Sequence, residues 1–81
     1  MSKMNTRKEA LAHVIAGRFR FLRESKGWTQ QQVAQLLHIE RSAYAYYETA
    51  KNFPTLVLLL DIADLYGVTT DYLLGREKKE E

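Results

Sequence analysis

The stretch QQQVAQLLHIERSAYAYYET, residues 30–49, decides the fold of this chain. Its apolar residues recur at the spacing of two short helices, with Val33 and Ala34 on the first and Tyr44 and Tyr47 on the second. Where two helices cross closely, a large side chain would hold the backbones apart, whereas Ala34 lets them meet. The stretch therefore predicts two short helices that pack at a steep angle across a tight turn.

Capping residues and glycines divide the rest of the chain into further helices. Helix 1 is predicted to start near Arg7, after a capping box formed by Thr6 and Glu9, and to end at Gly27. Thr29 is the expected cap of helix 2. The other predicted boundaries are helix 3 over 41–49, a loop over 50–54, helix 4 from Thr55 to Tyr66 with Gly67 as its stop, and a short helix 5 capped by Thr69 or Thr70 and ended by Gly75. No alternation typical of strands is present, so we expect a compact all-α domain of five helices.

Composition limits the classes of protein that this chain can represent. Its 81 residues suit one small domain, and an apolar content of 46% is ordinary for a globular one. The chain has no cysteine for a disulfide or a thiolate zinc site, and its two histidines, His13 and His38, are too few and too far apart for a metal site. It also lacks a nucleophile–base set and a glycine-rich phosphate loop. We therefore expect no metal, no cofactor and no enzymatic activity.

Targeting signals are also missing from the sequence. No apolar run approaches the roughly 18–20 residues that a membrane-spanning helix needs. The N-terminal residues MSKMNTRKEA lack the apolar core of a signal peptide. We therefore expect a cytoplasmic protein with no membrane partner.

Charge is unevenly distributed along the chain. Residues 1–28 carry seven basic side chains against two acidic ones, and residues 61–81 carry six acidic against three basic. This polarity suits a nucleic-acid partner on one side of the molecule, although solvated helix faces would explain it equally well. We divide the chain into a basic N-terminal extension that continues into helix 1 (1–14), a helical domain (15–75) and a charged tail (76–81).

Two helices at roughly 90–120° joined by a three- or four-residue turn form a helix-turn-helix, whose second helix enters the major groove of DNA. The order of motifs around this pair resembles the phage-repressor-like, or Xre, helix-turn-helix family, which has the fold of the lambda repressor DNA-binding domain. The resemblance covers about residues 15–75 and rests on Phe19-x-x-Leu22-Arg23, Gly27-Trp28-Thr29-Gln30, Val33-Ala34, Tyr44-x-x-Tyr47-Glu48, Lys51-x-x-Pro54, Ile62-Ala63…Tyr66-Gly67-Val68 and Tyr72-Leu73-Leu74. The family usually has glycine where this chain has His38 and Ala50. Helix 3 could therefore continue through Ala50 instead of turning there.

The resemblance also implies roles for individual residues. Arg23 and Glu48 look like the family's ion pair between helices 1 and 3, and Gln30, beside Thr29 at the start of helix 2, would donate to the DNA backbone. The family reads bases with the positions held here by Glu40, Arg41, Ser42, Ala45 and Tyr46. Trp28 is expected in the core between helices 1 and 2 rather than as a stacking platform.

The proposed reading face is weakly basic. Arg41 can pair bidentately with guanine, Ser42 can donate or accept, and Ala45 can touch a thymine methyl group. Tyr46 could contact a phosphate or pack on a sugar. Glu40 either caps helix 3, which we favour, or accepts a hydrogen bond from cytosine. We expect much of the affinity to come from phosphate contacts that position without specifying, made by Lys51, Asn52, Lys26 and arginines of helix 1.

A group of apolar residues stands where the family often has polar ones. Its members are Phe21, Phe53, Val57, Leu58, Leu65 and Tyr72. Exposed together, these side chains would be a liability for a monomer. We therefore expect a homodimer interface through Phe53, Val57, Leu58, Leu65 and Tyr72, at the start of helix 4 and around helix 5. The alternative is that they only thicken a small core.

Two functions follow from these features. The first is a dimeric, sequence-specific DNA-binding transcriptional regulator, a repressor on a near-palindromic operator with half-sites about one helical turn, roughly 34 Å, apart. The second is a protein-interaction module on the same scaffold, such as an antitoxin or an anti-repressor. The apolar surplus and the acid at Glu40 are what favour the second.

Overall fold

The computed structural model describes residues 3–77, which form five α-helices and no strand. The helices are α1 (Lys3–Lys26), α2 (Gln30–Leu37), α3 (Arg41–Glu48), α4 (Leu56–Tyr66) and α5 (Thr70–Leu73). The prediction of an all-α, five-helix domain is confirmed. Residues 78–81, which make up most of the predicted charged tail, and residues 1 and 2 lie outside the described residues.

Helix α1 is longer than the sequence pattern suggested. It runs for 24 residues, about 36 Å at the usual rise of 1.5 Å per residue, and begins at Lys3. The predicted capping box at Thr6 and Glu9 is therefore wrong, because Thr6 already lies inside the helix. Good helix formers follow Thr6 in the sequence RKEAL, residues 7–11, and their propensity outweighs the local competition of one threonine. The helix also crosses the proposed boundary between residues 14 and 15 without a break.

The predicted end of α1 and the predicted start of α2 are both confirmed. Gly27, with φ at +72°, ends α1 in the left-handed conformation. Thr29 then caps α2, since its hydroxyl accepts a hydrogen bond from the Gln32 N–H while the Gln32 side chain accepts one from the Thr29 N–H. The cap of α5 is Thr69, one of the two threonines that the sequence left open.

Among residues 3–77, two residues other than glycine hold a positive φ, and each follows a helix of the central pair. His38 ends α2 with φ at 61°, and Ala50 follows α3 with φ at 63°. The alternative in which helix 3 continues through Ala50 is wrong. The chain instead turns sharply there, as it would with the family's glycine, and alanine carries the steric cost of that turn.

The core is assembled from all five helices. One side chain from each has no exposed surface: Phe19 of α1, Val33 of α2, Tyr44 of α3, Ile62 of α4 and Leu73 of α5. Complete burial of such a side chain stabilises a fold by about 1.5–3 kcal/mol. Ala34 is also fully buried, as expected at a close helix crossing.

Candidate nucleic-acid interface

Helix α3 has an inner and an outer face. Tyr44 and Tyr47 are 0% and 8% exposed and belong to the core, as predicted. The outer face carries Arg41, Ser42 and Tyr46, all exposed. This division follows from the helical period, because residues three and four apart lie on one side of a helix.

The nine residues predicted to contact DNA all reach the surface. Gln30 and Ala45 are half-buried, and the others are exposed: Thr29, Glu40, Arg41, Ser42, Tyr46, Lys51 and Asn52. They come from the start of α2, the outer face of α3 and the loop that follows α3. Lys51 is tied to α3 by a hydrogen bond from its backbone N–H to the Tyr46 carbonyl, at 2.9 Å.

Glu40 occupies the N-cap position of α3, with φ at −69° and ψ at 144°. Its side chain makes no capping hydrogen bond, so the favoured expectation of a side-chain cap is wrong. Shorter side chains such as serine, threonine and aspartate are preferred for this contact because they place an oxygen close to the first N–H groups of a helix. The carboxylate of Glu40 is instead exposed beside Arg41.

The orientation of α3 is set from the inside by an ion pair. Arg23 Nε lies 2.7 Å from Glu48 Oε2, and Arg23 Nη2 lies 3.0 Å from Glu48 Oε1. The third nitrogen, Nη1, donates to the carbonyl oxygen of Trp28 at 2.9 Å. The pair joins α1 to α3 with a planar two-bond geometry that lysine could not reproduce.

Glu48 also accepts hydrogen bonds from two further side chains. Gln30 Nε2 donates to Glu48 Oε1, and Arg20 Nη1 donates to the Glu48 carbonyl, both at 3.0 Å. The Gln30 amide has a second hydrogen, which remains free to donate. Gln30 therefore ties the start of α2 to the end of α3, a role that the sequence did not reveal.

The environment of Glu48 favours its ionised form. Its side chain is 2% exposed, and burial by itself raises the pKa of the carboxyl group. Hydrogen bonding with Arg23 and Gln30 outweighs burial, and the net result is a lowered pKa. The hydrogen bond to Glu48 in turn raises the pKa of Arg23. The pair is therefore fully charged at neutral pH.

A second buried polar contact lies on the inner side of α3. The hydroxyl oxygens of Tyr44 and Tyr66 are 3.3 Å apart, which links α3 to α4. Burial raises the pKa of both hydroxyl groups. A buried tyrosine usually needs a hydrogen-bond partner for its hydroxyl group. The identity of that partner, Tyr66, is visible only in the structure.

Trp28 packs against the core, as predicted, and its ring also lies close to a residue of α4. It is half-buried, and its ring centroid lies 6.0 Å from that of Tyr66 in α4. Lys26 Nζ stands 5.9 Å from the centre of the same indole ring. Lys26, which was predicted to contact a phosphate, is exposed.

The apolar residues expected at a dimer interface divide into two groups. Phe53, Leu58, Leu65 and Tyr72 are partly buried and pack against the core. A domain this small uses these four to help complete its interior, and the dimer interface predicted through them stays a prediction. Tyr72 also lies under Arg18, whose guanidinium carbon is 4.4 Å from the ring centre. Val57 is the exposed member of the predicted set.

Three highly exposed apolar side chains lie close together in sequence at the start of α4. Leu56, Val57 and Leu60 are 81%, 68% and 56% exposed. We call these three residues the α4 patch. Leu56 and Leu60 were not singled out from the sequence, because residues 56–60 are all apolar and no local pattern shows which of them face outward. Phe21 of α1, which the sequence did single out, is 61% exposed.

Neither a membrane-spanning helix nor a metal-ligand cluster occurs in the part of the chain that the structure describes. No helix there is long and apolar enough to cross a membrane. No cluster of three or more potential metal ligands occurs among those residues.

The fold and this surface define an all-α domain built around a helix-turn-helix, and comparison with known proteins gives the family. The family model described as a helix-turn-helix domain matches residues 14–74. The chain therefore belongs to the helix-turn-helix domain family, whose members bind DNA and are not enzymes. This confirms the family resemblance seen in the sequence.

Several relatives carry regulatory names. The chain is 47% identical over 60 residues to the HTH-type transcriptional regulator AnsR of Bacillus subtilis, covering 74% of this chain and 52% of AnsR. It is 42% identical over 57 residues to the SPbeta prophage-derived HTH-type transcriptional regulator YonR of the same organism, covering 70% of this chain and 53% of YonR. The chain thus spans about half the length of these curated relatives.

A solved structure supports the same fold. The crystal structure of the hypothetical transcription factor NHTF from Neisseria superposes with a TM-score of 0.75 at 27% sequence identity. The match covers 83% of this chain and 77% of the Neisseria chain. The similarity therefore extends over most of both molecules.

Proposed function

We propose that this protein is a sequence-specific transcriptional regulator that binds a near-palindromic operator as a homodimer and acts as a repressor. The observation that carries the proposal is the outer face of α3, where Arg41, Ser42 and Tyr46 are exposed. These side chains project from a helix whose inner face is held by the core and by the Arg23–Glu48 pair. Insertion into the major groove requires a helix that is firmly held by its domain and that presents an exposed polar face.

The residues of this face suit different parts of a DNA duplex. Arg41, in the first turn of α3, has the fork geometry for guanine O6 and N7. Ala45, one turn further on, offers a methyl group to thymine, and Tyr46 can reach a sugar or a phosphate. Glu40 accepts from cytosine N4 in this arrangement, since its carboxylate is not used to cap the helix.

Backbone contacts surround the reading face. Thr29 and Gln30 open α2, where free N–H groups and the helix dipole favour an anion. Lys51 and Asn52 are exposed at the other end of α3. Contacts from both sides would fix the register of α3 in the groove without reading sequence.

The α4 patch supports the homodimer. Its three side chains lie next to one another on the first turns of α4, which starts four residues after Asn52. A twofold axis through the patch would bury the same surface on both copies, as cyclic dimers do. It would also present two copies of α3 to half-sites about one helical turn, roughly 34 Å, apart.

The repressor role requires the least additional machinery. A dimer that occupies an operator overlapping a promoter excludes a polymerase by position alone. Such a mechanism needs only the DNA-contacting surface and the α4 patch. An activator would in addition need a surface that contacts the transcription apparatus.

Selection from a random double-stranded DNA library tests these proposals together. We expect recovered sequences to share a motif with twofold symmetry, and the selected site to bind with a Kd of about 10⁻⁸–10⁻¹¹ M in fluorescence anisotropy at physiological salt. Equal affinity for selected and scrambled DNA would contradict sequence-specific binding. Specific binding to a motif without symmetry would contradict the homodimer. Reporter transcription that rises when the site is occupied would contradict repression.

The runner-up function is a protein-interaction module such as an antitoxin or an anti-repressor. The α4 patch and the free carboxylate of Glu40 are the observations in its favour. This function predicts a stable complex with another protein of the host and no enrichment of any DNA sequence. The same library selection therefore separates the two functions.

A further inference from the structure

The N-terminal part of α1 runs alongside the loop that follows α3. A cleft of about 260 Å³ separates them, with Lys8 and Glu9 on the α1 side and Lys51 and Asn52 on the loop side. Lys8 belongs to the segment that precedes the family match, which begins at residue 14. The extension of α1 thus reaches the predicted phosphate-contacting end of α3.

Two positive charges face this cleft from different elements. Lys8 and Lys51 are both exposed, and within the described part of the chain neither forms an ion pair. Lys51 is fixed relative to the reading face by the hydrogen bond from its N–H to the Tyr46 carbonyl. The loop side of the cleft is therefore anchored to the end of α3.

Asn52 adds an oriented donor. Its side-chain oxygen Oδ1 accepts a hydrogen bond from the Phe53 N–H at 3.0 Å. Because that contact occupies the oxygen, the amide nitrogen Nδ2 is left to donate to an acceptor. Two ammonium groups and one amide donor form a suitable set for a phosphate oxygen.

We propose that this cleft binds a phosphate of the DNA backbone and that Lys8 is a DNA contact supplied by the α1 extension. The inference rests on the proposed function. In this arrangement the extension anchors the domain on the duplex and adds affinity without adding sequence preference. Glu9 lies in the same cleft and opposes the phosphate, so it limits the affinity.

The chain contains a matched control for Lys8. Arg7 is its neighbour in sequence and carries the same charge, but it lines a different cleft, with Val14, Leu74 and Arg76. This arginine of helix 1 is therefore not grouped with Lys51 and Asn52 as a phosphate contact. If only net charge mattered, Lys8→Ala and Arg7→Ala would weaken DNA binding by the same amount. If a phosphate binds between Lys8 and Lys51, Lys8→Ala weakens DNA binding more than Arg7→Ala does.

The test is a salt titration of binding to the selected operator by the full chain and three variants, Lys8→Ala, Arg7→Ala and Glu9→Gln. We expect Lys8→Ala to weaken binding roughly three- to tenfold at about 0.1 M salt, equally for specific and scrambled DNA. The slope of log K against log salt should fall by about 1 for each bound protomer. Arg7→Ala should stay within about twofold of the unaltered chain, and Glu9→Gln should bind more tightly. Thermal unfolding followed by circular dichroism checks that all variants are folded.

The outcomes separate this inference from the function beneath it. If the unaltered chain binds its operator and Lys8→Ala has no larger effect than Arg7→Ala, the cleft is not a phosphate site and the proposed function stands. An unchanged salt slope for Lys8→Ala leads to the same conclusion. If the unaltered chain binds no DNA, the proposed function fails and the inference fails with it.

Discussion

The guanidinium group of Arg23 in α1 donates two hydrogen bonds, of 2.7 and 3.0 Å, to the carboxylate of Glu48 in α3. Glu48 is 2% exposed and is the sole buried charged residue in the part of the chain that the structure describes. The pair lies directly behind the outer face of α3. The helix that is proposed to read DNA is thus oriented by a buried charge pair as well as by apolar packing.

Removing the arginine should be costly. Arg23→Ala leaves the buried Glu48 carboxylate without its main partner, and we expect the free energy of unfolding to fall by about 3–5 kcal/mol. Urea unfolding measures this. The matched control is Glu24→Gln, since Glu24 lies 4.0 Å from Arg23 but its side chain is 63% exposed. That variant should change the free energy by less than about 1 kcal/mol. Similar losses in both variants would contradict a special role for the buried pair.

Stability should depend on pH through the same carboxylate. The fold lowers the pKa of Glu48 below its ordinary value of 4.5, so folding favours the ionised form. The resulting stabilisation is present above about pH 4.5 and is lost as the pH falls through the lowered pKa of the folded state. In urea unfolding at several pH values, the gap between the native chain and Glu48→Gln should narrow below about pH 4.5. A constant gap down to about pH 3 would rule this linkage out.

Ala50 offers a way to stabilise the protein. Its φ of 63° is strained for alanine and unstrained for glycine. We expect Ala50→Gly to raise the free energy of unfolding by about 1 kcal/mol. The control is Ala10→Gly on the exposed surface of α1, which should lower it by about 1 kcal/mol. Two losses of similar size would show that Ala50 carries no strain.

Substitutions at the two ends of α3 should separate reading from anchoring. Arg41→Ala should relax the sequence preference at one base position and cost about 1–3 kcal/mol of binding free energy at the preferred site. Lys51→Ala should weaken all sequences alike and reduce the salt slope by about 1 per protomer. Anisotropy titrations with single-base variants of the operator measure both effects. A change of preferred base in Lys51→Ala would contradict this division.

The α4 patch should control the oligomeric state. Leu60→Lys places a charge in the centre of the proposed interface, where its burial without a partner is unfavourable. We expect sedimentation analysis to show a dimer for the native chain and a monomer for this variant. Phe21→Lys, on α1, is the control for an exposed apolar residue outside the patch and should remain dimeric. A native chain that is monomeric even on its operator would contradict the proposed interface.

Contacts between residues close together in the sequence could be predicted, whereas contacts between distant residues could not. The caps at Thr29 and Thr69 were predictable because each involves residues three apart in the chain. The inner position of Tyr44 followed from helical period. The contact of Gln30 with Glu48 spans 18 residues, and no local pattern encodes its geometry. The exposure of Leu56 likewise depended on which side of the start of α4 turned inward, since residues 56–60 are all apolar.

The sequence by itself determined the five helices, the order in which they follow one another and the family to which the chain belongs. Periodicity, caps and glycine stops are local properties, so they can be read without coordinates. Tertiary structure alone decided the exposed α4 patch and the cleft between Lys8 and Lys51. These features depend on contacts between residues far apart in the chain. Residues 30–49 thus determined α3, while the packing of the other helices decided which surfaces lie next to α3.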